Sequence, residues 1–187
     1  MRLQFNMKRL IFGAIAGLLG GLAMELYWRF ATTLIGKDPR SAEKTEPTPE
    51  NLRSLDSISL VGKQYQEGES SQAAVGRLVY ETFTGEAPSA ETKSLLEKAV
   101  IFGFSVGMSA AYSAVRDPGD NPDVVGGALL GTGAWLGGDE LGMPLAGFAE
   151  GPTSYPLSLH LHSWAAHVAY GVVAALISQA LDQLTRD

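Results

Sequence analysis

The sequence predicts an all-α fold: an integral membrane four-helix bundle, with a polar, partly helical segment between spans one and two. Three observations carry that reading. Charge is segregated, with more than half of the 20 acidic and of the 14 basic residues confined to 36–98. Four runs outside that segment are nearly free of charge, and each is rich in Gly, Ala, Leu and Val. Small residues recur in those runs at intervals of four, the spacing that lets helix backbones approach closely in lipid.

Taken in order, the spans fall at about 10–30, 99–115, 124–138 and 157–181. A bilayer core takes about 20 helical residues. The first run reaches that length if Glu25 and Arg29 sit near one interface. The second is slightly short, and the third ends abruptly at Asp139 and Glu140. The fourth carries no formal charge while its histidines are neutral. Gly13, Gly17 and Gly21 form one stripe, and Gly103, Gly107 and Ala111 a second. Gly127 with Gly131, Gly133 with Gly137, and Ser163, His167, Gly171 and Ala175 supply the rest. Helices this rich in glycine form poorly in water, which argues against a soluble bundle.

The chain reads as a single membrane domain over 1–187, with 36–88 outside the membrane. Pro39, Pro47 and Pro49 among charged residues make 38–50 a linker. From Ser71 the pattern becomes helical, with Val75, Leu78, Val79 and Phe83 on one face. This predicts a short amphipathic helix at about 71–84, lying on the membrane or against the bundle and ended by Gly85 and Pro88. Ser89 is an N-cap, and the helix it starts is expected to run unbroken from Ala90 into span two.

Composition excludes several classes. The chain contains no cysteine, so disulfides and thiolate chemistry are absent. Its net charge of −6 and the lack of a basic, aromatic-interleaved surface argue against nucleic acid. Gly131-Thr132-Gly133 opens like a dinucleotide loop, but the next glycine, Gly137, comes one place late and no strand precedes it. Arg2, Lys8 and Arg9 before an apolar run resemble a secretory leader, yet Leu26, Tyr27, Trp28 and Phe30 prolong the run beyond any cleavage site. An uncleaved anchor is expected. Cytoplasmic flanks are enriched in Lys and Arg. Arg2, Lys8, Arg9, Arg116 and Arg186 therefore place both termini inside.

Ionisable residues near hydrocarbon are where chemistry is sought, because burying them is costly without partners. Glu25 and Arg29, four apart, are expected to form an ion pair that sets the depth of span one. Asp139 and Glu140 close span three, and adjacent carboxylates cannot share a helix face. His160 and His167 lie on one face of span four, whereas His162 points elsewhere. A zinc site needs three or four converging ligands, which Asp139, Glu140 or Glu150 would have to complete. No metal or cofactor is expected, and the histidines read as hydrogen-bonded side chains at a bundle end.

Asp139 to Gly147 (Asp-Glu-Leu-Gly-Met-Pro-Leu-Ala-Gly), the stretch from Gly151-Pro152 through Tyr155-Pro156 to His160, and His167-Val-Ala-Tyr170-Gly171 resemble the YagU-like family of bacterial inner-membrane proteins of unknown function. The resemblance covers about 8–29 and 97–181. It implies a multi-span protein of the bacterial inner membrane and directs attention to a polar cluster of Asp139, Glu140, His160, His167 and Tyr170. One arrangement folds the turn 142–156 back, so that Asp139 or Glu140 bonds His160 or His167. The expected role is structural or accessory to a membrane complex, with no catalytic residue. The expected partners are the lipid bilayer and other membrane proteins or further copies of the chain. The alternative is a proton-coupled transporter or channel built on the carboxylate–histidine cluster.

Overall fold

A computed structural model describes residues 7–38, 40, 57–116, 119 and 121–185. The linker expected at 38–50 lies outside them except for Asp38 and Arg40, as do Arg2 and Arg186. Every regular element among the described residues is helical. The chain forms α1 (Met7–Ile35), α2 (Ser71–Thr84), α3 (Ala90–Val115), α4 (Val124–Ala134), a π-helical stretch (Trp135–Gly142), α5 (Met143–Leu145), a 3₁₀ turn (Pro152–Ser154) and α6 (Leu157–Leu184).

Three helices, α1, α3 and α6, are long and apolar enough to cross a membrane. The third apolar run is not such a helix by itself. It holds α geometry only from Val124 to Ala134, and then widens rather than stopping at Asp139. The wide turn brings Gly142 against the Gly137 carbonyl, where a Cβ would sit 2.5 Å from the oxygen. Glycine is required there.

The chain divides into two compact units. The first holds α1, α3 from Phe104, α4 with Trp135, and α6 from Ser158. Its helices meet backbone to backbone. A Cβ on Gly13 would lie 2.5 Å from the Ser109 carbonyl, and one on Gly17 2.5 Å from that of Ser105. Gly20 abuts Tyr170 and Ala174 of α6, while Gly127 and Gly131 of α4 abut the backbone of Gly171 and His167. Ala16, Ala134, Tyr170 and Ala174 form the small core this permits. Outward, α1 exposes Ile11, Ile15, Leu18, Leu22, Leu26 and Phe30. A helix with small residues inside and large apolar residues outside is arranged for lipid as solvent.

One expectation is corrected here. Gly103, Gly107 and Ala111 do not pack inward: all three are exposed, and nothing lies within 4 Å of a Cβ at either glycine. The buried stripe of α3 is Ser105, Ser109 and Ser113, two positions along. Two residues along a helix is about half a turn, so both stripes have the same spacing on opposite faces. Serine wins because its hydroxyl bonds across the interface as well as being small.

The second unit holds α2, α3 up to Gly103, and Leu136–Leu157. Ser70 caps α2 by accepting from Ala73 N at 3.2 Å, and Gly85 ends it at φ +74°. Ser89 accepts from Thr92 N at 3.2 Å and starts α3 at Ala90. The buried face of α2 is Ala73, Ala74, Gly76 and Arg77, because Gly76 lets the helix close on Leu96, whose Cβ would be 2.8 Å from an added Cβ. The larger Val79 and Phe83 are left outside, Phe83 at 86 % exposure.

Substituting Gly17 by Val is expected to cost at least about 1–3 kcal/mol, since backbone rather than a movable side chain stands in the way. Gly107→Val, facing open space, should leave thermal stability in detergent within about 0.5 kcal/mol of the wild type. Equal melting shifts for the two would contradict the packing described.

Candidate functional site

The residues singled out from the sequence are distributed over both units. Arg29 Nε lies 3.3 Å from Glu25 Oε1, and both side chains are largely exposed. Arg40 joins them, 3.8 Å from Glu25 and stacked 5.3 Å over the Trp28 ring. Asp139 and Glu140 lie half-buried in the π-helical stretch of the second unit. His160, His167 and Tyr170 belong to the first.

His167 is buried, and its Nδ1 is 2.8 Å from the Ser163 carbonyl, one turn back on the same helix. His162 instead meets the Tyr27 hydroxyl of α1 at 2.9 Å through Nδ1. Tyr170, 2 % exposed, donates to the Ser105 carbonyl and shares a hydrogen bond with Ser109 Oγ, both at 2.8 Å. It pins α6 to α3. Among the described residues no group of three or more His, Asp or Glu could hold a metal ion. Glu150 accepts from the Tyr65 hydroxyl at 3.0 Å within the second unit.

The most concentrated polar network escaped the sequence reading. It lies in the first unit, where α1 begins, α3 and α6 end, and α4 begins. Lys8 Nζ donates to the Thr185 carbonyl at 2.8 Å, and Arg9 to that of Arg116 at 3.4 Å. Arg116 Nη2 donates to Asp182 Oδ2 at 2.5 Å, with both side chains under a tenth exposed. Ser178 stands beside this pair, bonded to Ser113 and 3.4 Å from the guanidinium. Nε and Nη1 of Arg116 are buried and have no partner among the described residues. Gln179 accepts from Asp123 N at 2.9 Å and donates to the carbonyls of Gly119 and Asn121, tying the α3–α4 turn to α6. The Asp123 carboxylate caps α4 through Gly126 N at 3.0 Å and receives the Tyr112 hydroxyl.

A sequence signal for this network existed. The stripe of His167, Gly171 and Ala175 continues at helical spacing to Ser178 and Asp182, so the first charge after span four falls on its buried face. In the sequence Arg116 reads only as a topological charge. Chemically, these groups join helix ends. Each carboxylate is engaged by a donor, and each named hydroxyl bonds to a neighbouring helix or its turn.

A second ionic cluster holds the other unit. Glu69 Oε1 receives Arg77 Nε at 3.0 Å and Lys93 Nζ at 2.6 Å, and its side chain is 1 % exposed. Arg77 also reaches Glu81 and the Gln64 carbonyl. Burial alone would raise the Glu69 pKa, but the hydrogen bonds from Arg77, Lys93 and Gln66 outweigh it and hold the carboxyl at about 2.

The chain matches no family model, no curated protein and no solved structure.

Two predictions follow from the ionic contacts. Asp182→Ala is expected to cost about 3–5 kcal/mol by leaving Arg116 buried and unpaired, whereas the double change Asp182→Leu with Arg116→Met should recover most of it. Detergent-phase melting of the two variants beside the wild type checks this. The depressed Glu69 pKa means that its stabilisation, about 2–3 kcal/mol, is complete above pH 4.5 and lost as pH falls toward 2. Urea unfolding of wild type and Glu69→Gln should therefore differ at pH 7 and converge near pH 2.

Proposed function

We propose that this chain is an integral membrane protein of the bacterial inner membrane, structural or accessory to a membrane complex, and related to the YagU-like proteins. The observation that carries the reading is the use made of polar groups in the first unit. Tyr170, Ser109, Ser113, Ser178, Asp182 and Gln179 are spent on holding helices and turns together, beneath an exterior of large apolar side chains. Such a body is built to be held in lipid and to keep its shape.

The four-span reading counts the third run as a crossing, its helical path continuing from Val124 through the π-helical stretch to Leu145. Lys8, Arg9 and Arg116 gather at one end, which the enrichment of cytoplasmic Lys and Arg assigns to the inside. The YagU-like assignment rests on the motifs at 139–147, 151–160 and 167–171. Association with other membrane helices is assigned to α3, of whose apolar window only 17 % is buried, against 44 % for α6. Glu91, Leu95, Ala99, Gly103, Gly107, Ala111 and Val115 form an exposed line along it.

The test is reconstitution into liposomes loaded with a pH-sensitive dye. Wild type, His167→Ala and Asp182→Asn are expected to pass protons no faster than protein-free liposomes. A flux present in the wild type and abolished by either substitution would replace the structural reading with transport.

A further inference from the structure

The turn at residues 59–62 presents two branched aliphatic side chains at its apex, Leu60 at 79 % and Val61 at 63 % exposure. It is not a loose loop. Leu60 N donates to the Leu145 carbonyl at 2.9 Å, and Gln64 N to that of Gly147 at 2.7 Å. Ser59 Oγ accepts from Val61 N at 3.2 Å and donates to the Gly62 carbonyl at 2.9 Å. Gln64 Nε2 donates to the Val61 carbonyl, and the buried Arg77 to that of Gln64. Gly62 takes φ +82° to close the turn. The fit against Gly147, itself at φ +77°, is so close that a Cβ there would fall 1.9 Å from the Gly62 carbonyl. The backbone is thus fixed on both sides, and the fixing aims Leu60 and Val61 outward. Burying such side chains is favourable, so a rigid mount that exposes both implies a surface to receive them.

We propose that this turn is a membrane anchor: Leu60 and Val61 insert into the interfacial layer of the bilayer. Three features of the same unit favour lipid as the occupant. The turn is hydrogen-bonded to Leu145, the last residue of a helical stretch whose Leu136 and Leu141 are exposed. The segment to which it is tied closes the unit at Leu157, which is exposed as well. Beside the apex, Lys63 Nζ lies 4.4 Å over the Tyr65 ring. Tyrosine and lysine are the side chains that settle at headgroup depth, with apolar bodies toward the acyl chains and polar ends in water.

The inference rests on the membrane reading of the chain, and its test separates the two. Because the sequence has no cysteine, single cysteines can be labelled without background. Nitroxides at Val61→Cys, at Leu18→Cys on the outer face of α1, and at Glu67→Cys, an exposed polar position, are placed in phosphatidylethanolamine–phosphatidylglycerol liposomes. Collision with oxygen is compared with collision with a water-soluble nickel chelate. The position 61 label is expected to favour oxygen several-fold over the position 67 label, approaching position 18. Nickel access at 61 equal to that at 67, with 18 still in lipid, would overturn the anchor and leave the membrane reading standing. Nickel access at 18 would overturn both. Shielding of 61 from both probes would show a protein partner in place of lipid, and would also overturn the anchor.

Discussion

Close backbone approach at glycine is the constraint on which the first unit depends. Gly13 and Gly17 set α1 against the carbonyls of Ser109 and Ser105, and Gly127 and Gly131 do the same for α4 on α6. At such separations the core can hold only small side chains, and its buried apolar members are mainly alanines and Tyr170. Burial of large apolar side chains, the usual driving force in water, is largely turned outward here. Cohesion falls instead to dispersion between close backbones and to hydrogen bonds between helices. The Tyr170 hydroxyl illustrates the division: it serves Ser105 and Ser109 together, at the place where the glycines have brought the helices within reach.

The polar network at the shared helix ends follows from the same closeness. Arg116 follows the last residue of α3, where the carbonyl end of the helix favours a cation, and Asp182 lies in the last turns of α6. Their pairing under a tenth exposure is costly unless hydrogen bonds are complete, and two guanidinium nitrogens have no partner among the described residues. The pair therefore specifies which ends meet more than it stabilises them. Gln179 extends that specification to the turn before α4, converting three backbone groups into a fixed connection.

Much of this was legible in the sequence. The caps and glycine stops around Ser71–Thr84 and Ser89 are readable as helix ends, and α1 and α6 contain the first and fourth apolar runs but extend beyond them, to Met7–Ile35 and Leu157–Leu184. What escaped was the choice of face. On α3, Gly103-Gly107-Ala111 and Ser105-Ser109-Ser113 have identical spacing, and periodicity cannot rank glycine against serine. The partner decides it, since Tyr170 and Ser178 offer hydroxyls to one stripe only. On α2 hydropathy marks the face of Val75, Leu78, Val79 and Phe83, which could lie on the membrane or against the bundle, whereas Gly76 and the alanines admit the close neighbour. In each case size and hydrogen-bonding capacity outweighed hydropathy.

The same reasoning bears on the third apolar run. A charge pair after fifteen or so apolar residues looks like the end of a helix at the water boundary. Here the helix passes through Asp139 and Glu140 by changing its pitch, and π geometry is rare outside places where an irregular backbone serves a purpose. The Gly137–Gly142 contact shows how the sequence permits it, because only glycine tolerates the approach of that carbonyl. The widened turns carry both carboxylates half-buried within a continuous helical path. The path then delivers Leu145 and Gly147, whose carbonyls receive the turn bearing Leu60 and Val61. A glycine-dependent change of helix type thus sets the position of the most exposed aliphatic pair in the second unit.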